Sequence, residues 1–460
     1  MYNECVLYSA IYKKYIDPIK RKRSRNVGVE FELPIVNLNR QPVDFAVVHS
    51  LTDAFVKSFS FDIIHRDCND DIFSAQSSAN QDDISYDCSY NTLELSFGTV
   101  TDLNIVYKRF VVYYTFIQDF LKEHHHTLTG MGINPYHKIN LNEPVPNGRY
   151  RMLLRHLSSY KKYGNAIPFH DQPNFGLFSC SSQVQLDVDE DTVVETINTF
   201  SKLEPLKSLT FANSLWGEDR ELLCSRDNFW KNSLHGLNRH NVDMYDTEIT
   251  SIDDIIEYIK SMSIYCVERD GKYINFTPTP LREYLNSESI TGEYFNGSGY
   301  SEIQFVPHID DLAYLRSFKF EDLTFRGTVE FRSVCEQPVS EIMCSAALHA
   351  GLIENLHELT QLLENDTVIY HRGYNASELR DMFNRRKLPD FIDEEKIKTL
   401  LNNVLDIARD GLIKRGADEE KFLEPLYHRV KYLYSPARQM ADGLETGVPL
   451  EQYIEEYASL

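Results

Sequence analysis

The chain has 460 residues, and its 42% hydrophobic and 25% charged residues are typical of a folded globular protein. The formal net charge of −22 disfavours nucleic acid and anionic membranes as partners. No apolar run approaches the roughly 18 residues of a membrane helix, and the N-terminus lacks the apolar core of a signal peptide. These features predict a cytoplasmic protein that does not enter a membrane.

The eight cysteines are scattered, without the C-x-x-C spacing of zinc or redox sites. In a reducing compartment most of them are expected to be small buried hydrophobic residues. A reactive or regulatory pair is the alternative, and Cys335 and Cys344 lie close in sequence to one of the strands predicted below.

The first predicted strand is "NVGVEFELPIV", residues 26–36, in which Glu30 and Glu32 are set between Val29, Phe31 and Leu33. Because a strand repeats every two residues, the two carboxylates project from the same side of their sheet. An ordinary explanation is a sheet with one face in the core and the other in water.

Three later segments share this pattern. In "NTLELSFG", Glu94 stands between two leucines, and in "SSQVQLDV" the polar residues Gln183 and Gln185 alternate with Val184 and Leu186. In "GTVEFRSV", Glu330 and Arg332 occupy the polar positions. All these segments are predicted to be strands with β-branched or aromatic residues on the core side.

Two interpretations of these polar positions stay open from the spacing alone. Taken singly, each segment is explained as an amphipathic strand with a solvated face. If the four strands belong to one sheet, their carboxylates repel one another unless a cation lies among them. Oxygen-rich surroundings suit Mg²⁺, which commonly bridges carboxylates and substrate phosphates, so the joint pattern favours a metal-lined cleft.

Several chemistry-bearing motifs are missing from the sequence. It contains no P-loop, zinc-protease, nucleophile-elbow or kinase signature, and "GMGINP" at 130–135 breaks the dinucleotide-binding pattern after its second glycine. Nothing therefore points to a nucleophilic hydrolase or a P-loop enzyme.

The last third of the chain is predicted to be helical. "IDEEKIKTLLNNVLDIARDGLIKRG" carries apolar residues at helical spacing, and Gly416 falls at its expected C-cap. In "SPARQMADGLE", Ser435 is the expected N-cap of a helix with Pro436 in its first turn. The pattern predicts one domain over 1–460, with a mixed sheet and helix core at 1–338 and a helical part at 339–460.

Ordered segments across most of the chain resemble a known family. "GVEFELP", "LELSFG", "GMGINPY", "VPNGRYRML", "CSSQVQLDV", "FANSLWG" and "GTVEFRSVCEQP" follow one another as in the glutamate-cysteine ligases of the plant and proteobacterial type. These belong to the glutamine-synthetase-like carboxylate-amine ligases. The resemblance implies an α+β fold with a curved, mostly antiparallel sheet backed by helices, and a helical C-terminal region.

The resemblance also implies an activity and the residues that carry it. The activity is ATP- and Mg²⁺-dependent ligation of the γ-carboxylate of L-glutamate to the amine of L-cysteine through a γ-glutamyl phosphate. The family pattern places ATP at Arg332 and Gln185, and the anionic amino acid at Arg226 and Arg239. It places Mg²⁺ at a set of oxygen-bearing side chains: Glu30, Glu32, Glu94, Glu330 and Gln183. Glu330 and Arg332 are the expected catalytic pair.

Two points of this implied function stay open. "NSESITGEYFNGSGYSEIQ", residues 286–304, is not assigned to a particular family segment and lies where loops shape the second-substrate pocket. A sibling ligase that joins glutamate, or another carboxylate, to a different amine is therefore the alternative. A binding protein that has lost catalysis is disfavoured because every metal-type position and Arg332 are present. The expected partners are small molecules only, and the expected state is a monomer or homodimer.

Overall fold

The computed structural model describes residues 4–217 and 220–460. The strands, in chain order, are β1 Val27–Asn37, β2 Asp62–Arg66, β3 Ile72–Gln76, β4 Asp83–Ser85, β5 Thr92–Val100, β6 His126–Leu128, β7 Ser182–Asp187, β8 Val242–Asp243, β9 Ser263–Arg269, β10 Lys272–Pro280, β11 Ile290–Phe295, β12 Tyr300–Phe305, β13 Phe318–Lys319, β14 Glu321–Leu323 and β15 Thr328–Phe331.

The helices occupy the segments between and after the strands. They are α1 Glu4–Ile11, α2 Phe45–Phe59, α3 Leu103–Glu123, α4 Gly148–Ser158, α5 Val193–Phe211, α6 Ser225–Lys231, α7 Ile252–Ser261, α8 Leu281–Asn286, α9 Cys344–Glu354, α10 Leu356–Glu364, α11 Ala376–Phe383, α12 Glu394–Arg415, α13 Glu424–Tyr432, α14 Pro436–Glu445 and α15 Leu450–Tyr457. Among the described residues, no helix is both long enough and apolar enough to span a bilayer.

The main sheet is antiparallel, with the strand order β14-β15-β7-β1-β5-β4-β3-β2 and β6 paired to the end of β1. A second antiparallel sheet has the order β12-β11-β10-β9. The predicted α+β class, with a mostly antiparallel sheet, packed helices and a helical C-terminal region, is confirmed.

One face of the main sheet is the hydrophobic core. Phe31 of β1 packs edge-on against Phe110 of α3, and Phe331 of β15 packs against Phe200 of α5 and His349 of α9. All five side chains are fully buried. Because side chains alternate along a strand, filling this face with aromatic residues turns the polar positions toward the opposite face.

Candidate active site

The strand register brings the polar positions of four strands onto one face of the main sheet. Glu32 of β1 lies opposite Glu94 of β5, and Glu30 lies opposite Gln183 of β7. On the other side of β7, Gln185 lies opposite Glu330 of β15. Directly opposed residues of an antiparallel pair project from the same face. The four strands β1, β5, β7 and β15 therefore belong to one sheet, which the sequence alone did not establish.

The two glutamines hold the carboxylates close together. Gln185 Nε2 donates to Glu30 Oε1 at 2.9 Å and to Glu330 Oε1 at 3.0 Å, so these two carboxylates share one donor. Gln183 Nε2 donates to Glu32 Oε1 at 2.8 Å. The Gln183 Oε1 atom is buried and has no hydrogen-bond partner among the described residues. A buried acceptor of this kind, beside carboxylates, is suited to a cation.

A further carboxylate, which the sequence pattern did not indicate, completes the cluster. Asp87 lies between β4 and β5, and it offers one carboxylate oxygen within 4.8 Å of oxygens from Glu32 and Glu94. Tyr150 donates its hydroxyl to Asp87 Oδ1 at 3.0 Å. Because Asp87 sits in an irregular connection, no strand or helix period could have placed it on this face.

Burial and crowding of like charges raise the carboxyl pKa values of the cluster. Burial, followed by the neighbouring charge of Glu330, raises the pKa of Glu30 to about 7. Burial also raises the pKa of Glu32, and burial together with Glu30 raises that of Glu94 well above its usual range. Negative charges this close favour occupation by a divalent cation, and an all-oxygen donor set suits Mg²⁺.

Two arginines border the cluster at the β15 edge. Arg332 forms an ion pair with Glu330 Oε2, and Arg326 lies 3.8 Å from Glu330 Oε1. Arg326 Nε also donates to Gln185 Oε1 at 3.0 Å. The predicted catalytic pair, Glu330 and Arg332, is thus in direct contact at the edge of the carboxylate cluster.

A first cavity of about 400 Å³ opens from the carboxylate cluster toward the second sheet. Its lining includes the carboxylates of Glu32 and Asp87 and the guanidinium groups of Arg149, Arg226 and Arg332. Arg226 is buried, donates to the main-chain carbonyls of residues 332–334, and leaves its Nε without a partner. Within the described part of the chain, Arg149 and Arg226 form no ion pair, which suits them to an anionic ligand.

The other predicted substrate arginine lies elsewhere. Arg239 Nη1 donates to the carbonyl of Lys231 at 3.0 Å, and its side chain lines an open surface groove with His240 and Pro280. Arg239 is not among the residues that line the first cavity. Arg226 and Arg239 could not be separated from the sequence alone, because both lie within the same segment that resembles the family.

A second cavity of about 430 Å³ lies on the other side of Arg332. Its cationic lining residues are Lys14, Arg316, Arg326 and Arg332. Arg316 and Arg332 line both cavities, so the two meet at these guanidinium groups. Apolar side chains line the second cavity too, and one of them, Phe325, leaves 57% of its surface exposed. The sequence analysis missed Lys14, Arg316 and Phe325, since no repeat or motif marks them.

The cysteines form no disulfide among the described residues. Cys335 faces Cys224, with 3.6 Å between the two buried Sγ atoms, rather than Cys344. This separation exceeds the roughly 2.05 Å of a disulfide bond, so the two cysteines are not bonded to each other.

Comparison with known proteins places the chain in a family. The model of glutamate-cysteine ligase family 2 (GCS2) matches residues 26–457, so the chain belongs to that family. Chloroplastic glutamate–cysteine ligases are similar to it at low identity. The ligase A of Oryza sativa subsp. indica is 22% identical over 69% of this chain, and the Arabidopsis thaliana enzyme is 21% identical over 71%. These matches span 61% and 60% of the plant proteins.

Two solved structures also align with the chain. A glutamate–cysteine ligase from Francisella tularensis, in complex with AMP, covers 96% of this chain and 88% of its own at 12% identity, with a TM-score of 0.47. A bifunctional glutathione synthetase from Pasteurella multocida covers 100% of this chain and 53% of its own at 10% identity, with a TM-score of 0.45.

Proposed function

We propose that this protein joins the γ-carboxylate of L-glutamate to the amine of L-cysteine, with ATP and Mg²⁺, through a γ-glutamyl phosphate. One observation carries the proposal: an amino-acid-sized cavity and a cation-lined cavity meet at Arg332, beside a cluster of carboxylates on one sheet face. Membership of the glutamate-cysteine ligase family supports the same activity.

The carboxylate cluster fits Mg²⁺ in two groups. Glu30 and Glu330, held together by Gln185, would hold an ion at the nucleotide side, and Glu32, Asp87 and Glu94 with Gln183 would hold one at the amino-acid side. When bound, Mg²⁺ neutralises charge on the phosphates. This division follows the geometry, because Glu330 lines the second cavity whereas Glu32 and Asp87 line the first.

The chain's own cations then position the reactants. The second cavity would take ATP, with Phe325 and its apolar neighbours against the base and the cationic side chains on the phosphates. Arg226 would bind a carboxylate of glutamate, and Arg149 the carboxylate of the amine substrate. Arg332, reaching both cavities, would contact the γ-phosphate during transfer.

The two chemical steps of this reaction require no nucleophile from the protein. A γ-carboxylate oxygen of glutamate attacks the γ-phosphorus of ATP and ADP leaves. The amine nitrogen then attacks the acyl carbon of the γ-glutamyl phosphate, loses a proton and expels phosphate. The products are an amide, ADP and phosphate. Because a carboxylate is a poor acylating agent, its conversion to an acyl phosphate is what allows the amide bond to form.

A ligase using a different amine is the second candidate. It is favoured by the segment at 286–304, which forms the β11–β12 hairpin beside α4. Arg149 and Tyr150 of α4 line the first cavity, so the hairpin adjoins the proposed amine pocket. A cytoplasmic location and a monomeric or homodimeric state stay predictions.

Phosphate release from ATP with L-glutamate and a panel of amines, with and without Mg²⁺, tests the proposal. We expect release that requires Mg²⁺, L-glutamate and L-cysteine together. Release with another amine but not with L-cysteine would replace the first candidate by the second. ATP binding without release on any amine would instead indicate a binding protein and overturn both.

A further inference from the structure

The N-terminal segment 4–20 lies outside the region that matches the family, which begins at residue 26. It is nevertheless fixed to the body of the protein. Ile11, Ile16 and Ile19 are fully buried in the main core, and Tyr8 donates to Asp253 Oδ1 of α7 at 2.6 Å. The segment therefore has a defined place relative to the site.

Two side chains of this segment line the second cavity. Lys14 and Tyr15 face the same space as Glu330 and Arg332, the predicted catalytic pair. The Lys14 ammonium donates to the carbonyl of Leu312 at 2.6 Å. It forms no ion pair with any residue in the described ranges, although the protein carries a net charge of −22.

The surroundings of Lys14 differ from those of a lysine whose ammonium group is simply solvated at the surface. Burial, followed by the positive charge of Arg316, lowers the pKa of Lys14 to about 8. The more buried Lys231, by contrast, pairs with Asp243 at 3.2 Å and with Asp381 at 2.6 Å. A half-buried cation that faces a cavity beside other cations, without its own acid, is arranged for an anionic ligand that several of them share.

We propose that Lys14 binds a phosphate of the nucleotide, so that a segment outside the family-matched region completes the nucleotide site. The inference rests on the proposed function, because it assigns the second cavity to ATP. The chemistry favours a nucleoside polyphosphate over a single carboxylate. Lys14, Arg316, Arg326 and Arg332 together supply four positive charges against the two carboxylates of Asp322 and Glu330, and aromatic side chains of the same cavity supply an apolar surface.

Substitution of Lys14 tests the inference, and Lys13 provides a matched control because it is the adjacent lysine and is exposed. Binding of ATP with Mg²⁺ is measured by calorimetry, and KM values by phosphate release. We expect Lys14→Met to bind ATP at least about tenfold more weakly, because one charged hydrogen bond is lost. The KM for L-glutamate should be unchanged. Lys13→Met should match the wild type, and Lys14→Arg should retain most of the affinity.

The outcomes separate the two proposals. If the wild type binds and turns over ATP but Lys14→Met does so equally well, the inference is overturned and the proposed function stands. If the wild type neither binds ATP nor releases phosphate, both are overturned. Melting temperatures show whether a variant is folded, and Lys14→Gln, which keeps a polar group of similar length, replaces Lys14→Met if the latter does not fold. A loss that falls equally on ATP and L-glutamate would indicate structural damage and would also overturn the inference.

Discussion

At the scale of single residues, the site is defined by charges that lack partners. Most arginines of this acidic chain are matched by a carboxylate, as Arg380 is by Asp227 and Glu204. Arg149 and Arg226, in contrast, contact no acid in the part of the chain that the structure describes, and both line the first cavity. Arg239 likewise forms no ion pair within the described ranges, so the place of Arg149 and Arg226 in the cavity lining, together with their lack of an acidic partner, makes them the ligand-binding candidates.

Arg332 differs from these because it already has an acidic partner. In Arg332→Ala we expect phosphate release to fall by about a thousandfold, as for other arginines that stabilise phosphoryl transfer. Arg332→Lys should recover little, because a lysine cannot replace the planar fork that reaches both Glu330 and a phosphate. The measurement is phosphate release at saturating substrates.

The control for this prediction is Arg409→Ala, which removes an exposed arginine of α12 paired with Asp406. Its turnover should equal that of the wild type. Near-normal release by Arg332→Ala, in a protein with an unchanged melting temperature, would exclude Arg332 from the reaction.

At the scale of elements, the proposed amine pocket depends on how α4 is held. The β11–β12 hairpin contacts the outer side of this helix: Arg155 pairs with both carboxylate oxygens of Glu293, at 2.8 and 2.9 Å, and stacks over Tyr300. Arg151 lies over Phe295 in the same way. The inner side of α4 carries Arg149 and Tyr150 into the cavity. The hairpin therefore supports a cavity wall without lining the cavity.

Arg155→Met should loosen this wall while leaving the chemistry intact. We expect the KM for the amine to rise about fivefold, the scale of a partly exposed ion pair, with kcat and the KM for ATP little changed. Steady-state kinetics on both substrates would show the split. Arg386→Met, which breaks a two-carboxylate pairing with Asp442 and Glu445 far along the chain, serves as the control and should not change KM. A uniform loss of kcat in Arg155→Met would contradict the positioning role.

The elements also show what a sequence can and cannot predict. α12 ends at Arg415 with Gly416 in a left-handed cap, and Ser435 caps α14, both as predicted, since periodicity and capping are local signals. The shared face of Glu30 and Glu32 was predictable from the two-residue period. The pairing of β15 and β1 on either side of β7 was not, because strand order depends on contacts between distant segments. Asp87 and Lys14 also carried no sequence signal for the site. Asp87 lies in an irregular connection between β4 and β5, and Lys14 lies in the N-terminal segment, outside the strands of the site.

At the scale of the whole molecule, the buried histidines affect stability toward acid. Burial lowers the pKa of His156 and of His349 to about 3, and lowers that of His235 well below its usual range. His349 is fully buried between the sheet and α9, stacked on Phe200. In the unfolded chain each imidazole takes up a proton near pH 6.5, whereas the folded protein keeps it neutral.

This difference fixes the sign of the pH dependence. Below about pH 6.5 the unfolded state binds more protons than the folded state, so these histidines make the protein less stable as the pH falls toward 3. The loss between pH 7 and pH 5 is about 2 kcal/mol for each histidine. Buried carboxyls with raised pKa values, such as Glu30, act in the opposite direction, so the effect of one histidine must be isolated by substitution.

The variant His349→Leu isolates the contribution of one histidine, because leucine keeps an apolar side chain in the core but cannot take up a proton in the folded or the unfolded state. We expect the difference in unfolding free energy between pH 7 and pH 5 to become smaller than in the wild type by about 2 kcal/mol, measured by denaturant unfolding. The absolute stability of the variant does not matter here, since only the pH dependence is compared. His371→Leu, at an exposed ring, should leave the pH dependence unchanged. If both variants kept the wild-type dependence, His349 would have to be protonated in the folded protein, and the packing of its ring against Phe200 and Phe331 would have to tolerate a buried charge.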